Sequence, residues 1–161
     1  MRCYAIGDIH GHLDKLAEAH RLIRADRVHA RDAEAPVVHL GDLCDRGPDT
    51  QGVLDFLLAG EARGEAWITL RGNHDAMMTN FLDGEDGAIW LHPQNGGRTT
   101  LTSYGVDAAG LSDRNALRRD ARARIPAEHR AFLRSQPTSC RYGDCFFCHA
   151  GIRPGTPLDQ Q

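Results

Sequence analysis

Four short motifs constrain this chain more than anything else in it: "GDIHG" from Gly7, "GDLCDRG" from Gly41, "RGNHD" from Arg71 and "HAG" from His149. Each is polar and punctuated by glycine, and each directly follows a short apolar run: "CYAI", "PVVHL", "AWITL" and "CFFC". A run of this kind that stops at a polar, glycine-bearing turn reads as a β-strand. The segments between the first runs have helical spacing instead. "HLDKLAEAHRLIRA", from His12 to Ala25, puts Leu13, Leu16, Ala17, Ala19, Leu22 and Ile23 near one helical face. "TQGVLDFLLAGEA" reads as a second amphipathic helix, and "HDAMMTNFL" starts a third. Strands alternating with helices of this length predict an α/β fold built from βαβ units. In such sheets the loops beyond the carboxyl ends of the strands form the site, so the four motifs are expected on one rim.

Beyond the third helix the segment "DGEDGAIWLHPQNGGRTTLTSYG" reads as irregular, its glycines and single proline marking turns. Two further helical stretches are expected near Asp113 to Arg124 and Ala127 to Gln136. "PTSCRYGDCFFCHAG" reads as a hairpin. The Arg-rich run in "RNALRRDARARIPAEHR" alternates with alanines and acids and is expected to be a solvated helix face.

The residues gathered on the rim are Asp8, His10, Asp42, Asp45, Arg46, Arg71, Asn73, His74, Asp75 and His149. Carboxylates with imidazoles suit divalent manganese, iron or zinc. Asp8 and His10, two residues apart in an extended turn, can grip one ion. Asp42 can bridge two ions with its two oxygens, and Asn73 and His149 can complete the second. Such a pair of cations clamps a phosphoryl group and activates water, which predicts metal-assisted phosphoester hydrolysis. His74, an imidazole titrating near neutrality, can protonate a leaving alkoxide. Asp45 can hold that ring in the required tautomer, and Arg46 offers a planar fork of donors matched to phosphate oxygens. The other histidines divide: His12, His20, His29 and His129 are expected at the surface, and His39, within a strand, in the core. Cys44 reads as a spacer.

"CFFCH", from Cys145 to His149, also matches the pattern that attaches a c-type haem. On a strand, however, Cys145 and Cys148 point to opposite faces, a poor arrangement for one haem or one shared ion. Both cysteines are expected to be small buried hydrophobes, no haem is expected, and His149 alone remains as a ligand. Five cysteines without a secretory signal predict reduced thiols and a cytoplasmic protein. No apolar run approaches the roughly 18 residues of a membrane span. A net charge of -3 leaves no basic footprint for nucleic acid. At 161 residues the chain fits a single domain, 1–161.

The four motifs, in this order and each after a strand, resemble those of the phosphoprotein phosphatase family of metallophosphoesterases, and the likeness runs from Gly7 to Gly151. It implies a calcineurin-like fold, a central β-sandwich flanked by helices. It also implies two divalent metals, manganese first with iron or zinc as alternatives, held by Asp8, His10, Asp42, Asn73 and His149. His74 is implied as general acid assisted by Asp45, with Arg46 and Asn73 at the substrate phosphate. "WLHPQNGGRTTLTSYG" is similar to the segment following the "GNHD" motif in bacterial Ser/Thr protein phosphatases, which implies phosphoserine or phosphothreonine in proteins as substrate. Symmetrical diadenosine tetraphosphatases share the metal motifs, and a metal- or phosphate-binding remnant without turnover is the non-catalytic alternative. The family pattern also carries a further metal-binding His and a second phosphate-binding Arg downstream of "HAG". No histidine follows His149, so the expectation is a chain incomplete at its C-terminus, lacking the last strands of the sandwich.

Overall fold

The computed structural model describes residues 2–110 and 112–161. Three short strands, β1 (Tyr4–Ile6), β2 (Val37–His39) and β3 (Trp67–Thr69), form a parallel sheet in the order β1-β2-β3. Tyr4 pairs with Val37, and Val37 in turn with Trp67. The central strand is apolar at both valines and fully buried, as expected where helices cover a parallel sheet. The crossovers are α1 (Leu13–Ala30) and α2 (Thr50–Ala62), which pack on each other. Asp49 caps α2 by accepting from Gly52 N at 2.8 Å, satisfying one of the free N–H groups at a helix start. The expected helix from Thr50 to Ala62 therefore appears with the expected bounds.

After β3 the chain enters α3 (Asn73–Asp83), followed by α4 (Gly97–Ser103), α5 (Arg114–Arg124), α6 (Ala127–Ser135) and the antiparallel hairpin β4 (Ser139–Tyr142) with β5 (Cys145–Cys148). Leu43, Leu57, Met78, Phe81, Trp90, Leu101, Leu117 and Leu133 are among the buried side chains of the core that these helices enclose. α5 buries only Leu117 and Ala121, so its arginines do form a largely solvated face.

Five local expectations are corrected. The segment read as irregular contains α4, whose threonines are poor helix formers; Thr100 instead has a buried bonding role described below. His20, expected at the surface, is buried, while Leu22, expected on the apolar face, is 53% exposed. The buried positions of α1 are Leu16, His20 and Ile23, and His20 is tolerated there because its Nε2 lies 3.0 Å from His39 Nε2. His129 is likewise buried, between Tyr104 Oη (2.8 Å) and Asp55 Oδ1 (3.0 Å). Cys145, expected to be buried, is exposed on the hairpin. No described helix is long and apolar enough to cross a membrane.

Candidate metal centre

Backbone hydrogen bonds zip the strand-end loops together before any side chain is considered. Ile9 N and His10 N both donate to Asp42 O (3.1 and 2.8 Å), and Gly11 N donates to Leu43 O (2.9 Å). The next contact joins the second and third loops: Asp75, fully buried, accepts from Leu43 N at 2.9 Å and Cys44 N at 3.3 Å with one oxygen, and from Gly72 N at 2.9 Å with the other. The close approach explains the glycines. A Cβ at Gly72 would lie 2.2 Å from Asp42 Oδ1. Burial pushes the Asp75 carboxyl up to about 6, against the opposing pull of the Gly72 and Leu43 N–H groups. Asp75 stands in the sequence motif, but only the fold shows that it ties two loops together.

Strain gathers at the same place. Among the described residues five non-glycines have positive φ, and four of them are His10, Asp42, Asp45 and Arg46. Left-handed backbone costs a non-glycine residue of order 1 kcal/mol or more and persists where the surroundings over-determine it.

The side chains so held converge. His10 Nε2 lies 3.7 Å from Asp8 Oδ2 and 3.6 Å from Asp42 Oδ2. His149 Nε2 lies 3.4 Å from Asp42 Oδ1 and 3.1 Å from Asn73 Oδ1. The two oxygens of Asp42 thus face different histidines, the disposition a bridging ligand needs. Both rings are fixed from behind: His10 Nδ1 donates to Cys44 O (2.8 Å) and His149 Nδ1 to Leu40 O (2.9 Å). A neutral imidazole that donates through Nδ1 presents its Nε2 lone pair, so acceptors point at acceptors in both places. His10 Nε2 is, among the described residues, the buried side-chain atom left with no hydrogen-bond partner. Two groups, His10/Asp42/His74 and Asp8/Asp42/His149, each bring three ligand atoms within 4.8 Å of one another. An inward-facing set dominated by carboxylate, amide and imidazole acceptors fits divalent cations.

His74 lies in the first turn of α3 beside this cluster. Its backbone N–H donates to Asp42 Oδ1 (2.9 Å) and its Nδ1 donates to Asp45 Oδ2 (2.6 Å). The bond to Asp45 raises the pKa of His74, burial opposes it, and the nearby Arg46 guanidinium opposes it further. Arg46 is exposed, with Nη2 3.3 Å from His74 Nε2. Asp45 itself is fully buried. Trp90 Nε1 donates to both its oxygens (3.0 and 2.9 Å), Thr100 Oγ1 donates to Oδ1 (2.7 Å), and Thr100 Oγ1 accepts from Asp45 N (2.8 Å). Trp90 and Thr100 lie outside the motifs, and sequence reasoning gave them no role.

The structure therefore brings together Asp8, His10, Asp42, Asp45, Arg46, Asn73, His74, Asp75 and His149. Arg71, also expected on the rim, uses its backbone N–H to meet Pro137 O at 2.9 Å, joining the sheet to the segment before the hairpin. Cys44 is buried with its thiol pushed well above the usual range by burial and by Asp45 and Asp75, as a spacer and not a thiolate ligand.

Comparison with known proteins gives a consistent result. The sequence profile of the calcineurin-like phosphoesterases matches residues 1–153. Serine/threonine-protein phosphatase 1 of Salmonella typhimurium is 36% identical over 95 residues, 58% of this chain and 38% of that protein. The symmetrical bis(5'-nucleosyl)-tetraphosphatase of Legionella pneumophila is 31% identical over 153 residues, 94% of this chain and 45% of that protein. A crystal structure provisionally assigned to a diadenosine tetraphosphatase superposes with a TM-score of 0.59 at 25% identity, over 98% of this chain and 53% of the other. The chain spans less than half the length of these two sequence relatives.

Proposed function

This chain belongs to the calcineurin-like phosphoesterase family, and from that premise we propose that it is a phosphatase for phosphoserine and phosphothreonine in proteins. It would use two divalent cations, manganese foremost, held by Asp8, His10, Asp42, Asn73 and His149. The observation that carries the reading is the convergence of acceptors around Asp42, with His10 Nε2 buried and unpartnered among the described residues and the His74–Asp45 pair alongside.

Bound cations of this kind polarise the phosphoryl oxygens and activate water for attack on phosphorus. The protein's own groups do the rest. Arg46 orients the phosphate through its paired N–H donors, and Asn73, exposed at the start of α3, offers its amide beside it. With His74 neutral, Nε2 accepts from Arg46 Nη2; with His74 protonated, both groups are donors, and a phosphate placed between them accepts from each. His74 Nε2 then gives its proton to the departing serine or threonine oxygen. Asp45 supports the imidazolium through Nδ1–H and so raises the His74 pKa.

A second reading, symmetrical dinucleoside tetraphosphate hydrolysis, is favoured by one observation: the Legionella relative aligns over 94% of this chain, the Salmonella phosphatase over 58%. The same carboxylates and dyad would serve a phosphoanhydride, so the substrate alone separates the two.

The test is hydrolysis of p-nitrophenyl phosphate with added manganese. Turnover should rise with manganese and fall to background in Asp42→Asn. Manganese binding with no turnover would support the non-catalytic alternative. A phosphoserine peptide and diadenosine tetraphosphate assayed side by side then choose between the two substrates.

A further inference from the structure

Beside the dyad lies a cavity of about 360 Å³ whose walls include Met77, Phe81, Ile89 and Trp90, with Glu85 and Asp86 among its lining residues. Its volume is in the range of small-ligand and side-chain pockets, and its wall is mostly apolar. Three observations tie it to the proposed reaction. Trp90 forms part of its wall while the same indole donates Nε1–H to both oxygens of Asp45. Met77 and Phe81 follow His74 on α3 by three and seven residues, which places them about 4.5 and 10.5 Å from it along the helix axis at about 1.5 Å per residue. Ile89 is 72% exposed, an apolar side chain at the cavity that folding leaves in water.

The charge at the rim says what kind of molecule fits. Asp86 is paired with Arg114 at 2.7 Å, but the Glu85 carboxylate has no partner among the described residues; its backbone N–H donates to Asn80 O and its carbonyl accepts from Arg118. This unpaired carboxylate follows the C-terminal end of α3, the end opposite His74, and disfavours a further anionic group in the cavity. A peptide carries a neutral backbone and can offer a cation to it. An extended peptide advances about 3.3 Å per residue, so the stretch from Met77 to Phe81 lies about one to three residues away, its middle at two to three.

We propose that this cavity is a substrate subsite that takes an apolar side chain two or three residues from the phosphorylated one, with a neighbouring Lys or Arg set against Glu85. The subsite rests on the protein phosphatase reading above and names the substrate class it selects.

The experiment uses fluorescein-labelled phosphoserine peptides in which one leucine is moved along the sequence, beside lysine or beside glutamate. Binding is read by fluorescence anisotropy and turnover by phosphate release, with p-nitrophenyl phosphate as a small substrate that does not reach the cavity. Leucine two or three residues from the phosphoserine, beside lysine, should tighten binding roughly tenfold or more over alanine, the scale of burying one such side chain. Ile89→Glu and Glu85→Lys should each erase that preference, leave p-nitrophenyl phosphate turnover unchanged and keep the thermal midpoint. Glu85→Lys should also reverse the choice between lysine and glutamate. Peptides that bind equally well whatever residue they carry, while the small substrate is hydrolysed, overturn the subsite and leave the phosphatase reading standing. A leucine preference in binding without turnover of any substrate keeps the subsite and overturns the hydrolase reading. Adenosine nucleotides that displace the leucine peptide, and lose this ability in Ile89→Glu, overturn the peptide assignment in favour of a nucleoside pocket.

Discussion

Asp45 has no surface of its own, yet three donors converge on its carboxylate: His74 Nδ1, Trp90 Nε1 and Thr100 Oγ1. A buried carboxylate held by three donors keeps the imidazole in one orientation. If His74 is the general acid, its importance depends on how badly the leaving group needs a proton. His74→Asn should lower kcat on a phosphoserine peptide by about a hundredfold or more. Trp90→Phe keeps the ring's packing but deletes the N–H, and should cost about tenfold on the same peptide, the scale of one lost charge-assisted bond. On an aryl phosphate with an acidic phenol, which departs unaided, both losses should nearly vanish, and manganese affinity measured by calorimetry should hold in both variants. Equal losses on the two substrates, or a collapse of manganese affinity while kcat at saturating metal is kept, would show that His74 is not the acid. Trp90 and Thr100 were not legible in advance because neither repeats a spacing or a motif; each is defined by where its polar atom ends up after folding.

At the scale of elements, the contact between α1 and the sheet turns on two histidines. His39 is the last residue of β2, its Nδ1 3.1 Å from Thr69 Oγ1 on β3, and its Nε2 faces His20 of α1, whose ring lies 4.4 Å from that of Trp67. Sequence periodicity did contain the clue to His20: Leu13, Leu16, His20 and Ile23 advance by three, four and three, the step of one helical face. Residue type argued for the surface, and the buried partner that overrules it comes from a strand 19 residues away. Burial holds His39 down to about 3 and His20 down to about 4, with Arg24 lowering His20 further. In the unfolded chain both titrate near 6.5, so below that pH unfolding takes up protons that the folded state refuses. Their contribution to stability is complete above about pH 6.5 and is lost as pH falls towards 4. Asp75, raised to about 6, acts in the opposite sense between about pH 4 and 6, because there the folded state holds the extra proton. Two histidines against one carboxylate leave a net uptake of about one proton near pH 5, a slope of roughly 1.4 kcal/mol per pH unit. Urea unfolding in chelator should show stability falling with that slope between about pH 6.5 and 5, and His20→Phe should flatten it. A wild-type profile already flat over this range would mean that the pair is not held neutral.

The whole molecule explains why the motifs were readable while their supports were not. The parallel sheet delivers three motifs to one rim by topology alone, so strand ends plus residue types were enough to nominate Asp8, His10, Asp42, Asn73, His74 and His149. Their supports come from backbone carbonyls of Cys44 and Leu40, from Asp75 across two loops and from α4, and apart from Asp75, which stands in a motif without its tying role being visible there, none of these has a pattern along the chain. The assembled rim also concentrates like charge: Asp8, Asp42, Asp45 and Asp75 are drawn together with few cations, Arg46 being the nearest to the dyad. Such a site is costly until a cation enters it, so stability and metal occupancy should be linked. A ligand that binds only the folded chain stabilises it by about 2.7 kcal/mol at a hundred times its dissociation constant, which for a domain of this size is roughly 5 to 10 °C in Tm. Manganese should therefore raise Tm by that amount over protein in chelator. Asp42→Asn, which removes the shared ligand, should lose most of the increase, yet its melting point in chelator should equal or exceed that of the wild type because one of the crowded carboxylates has been neutralised. Asp32→Asn, remote from the rim, should keep the full manganese effect. An Asp42→Asn protein that manganese stabilises as much as the wild type would place the cations somewhere other than this cluster.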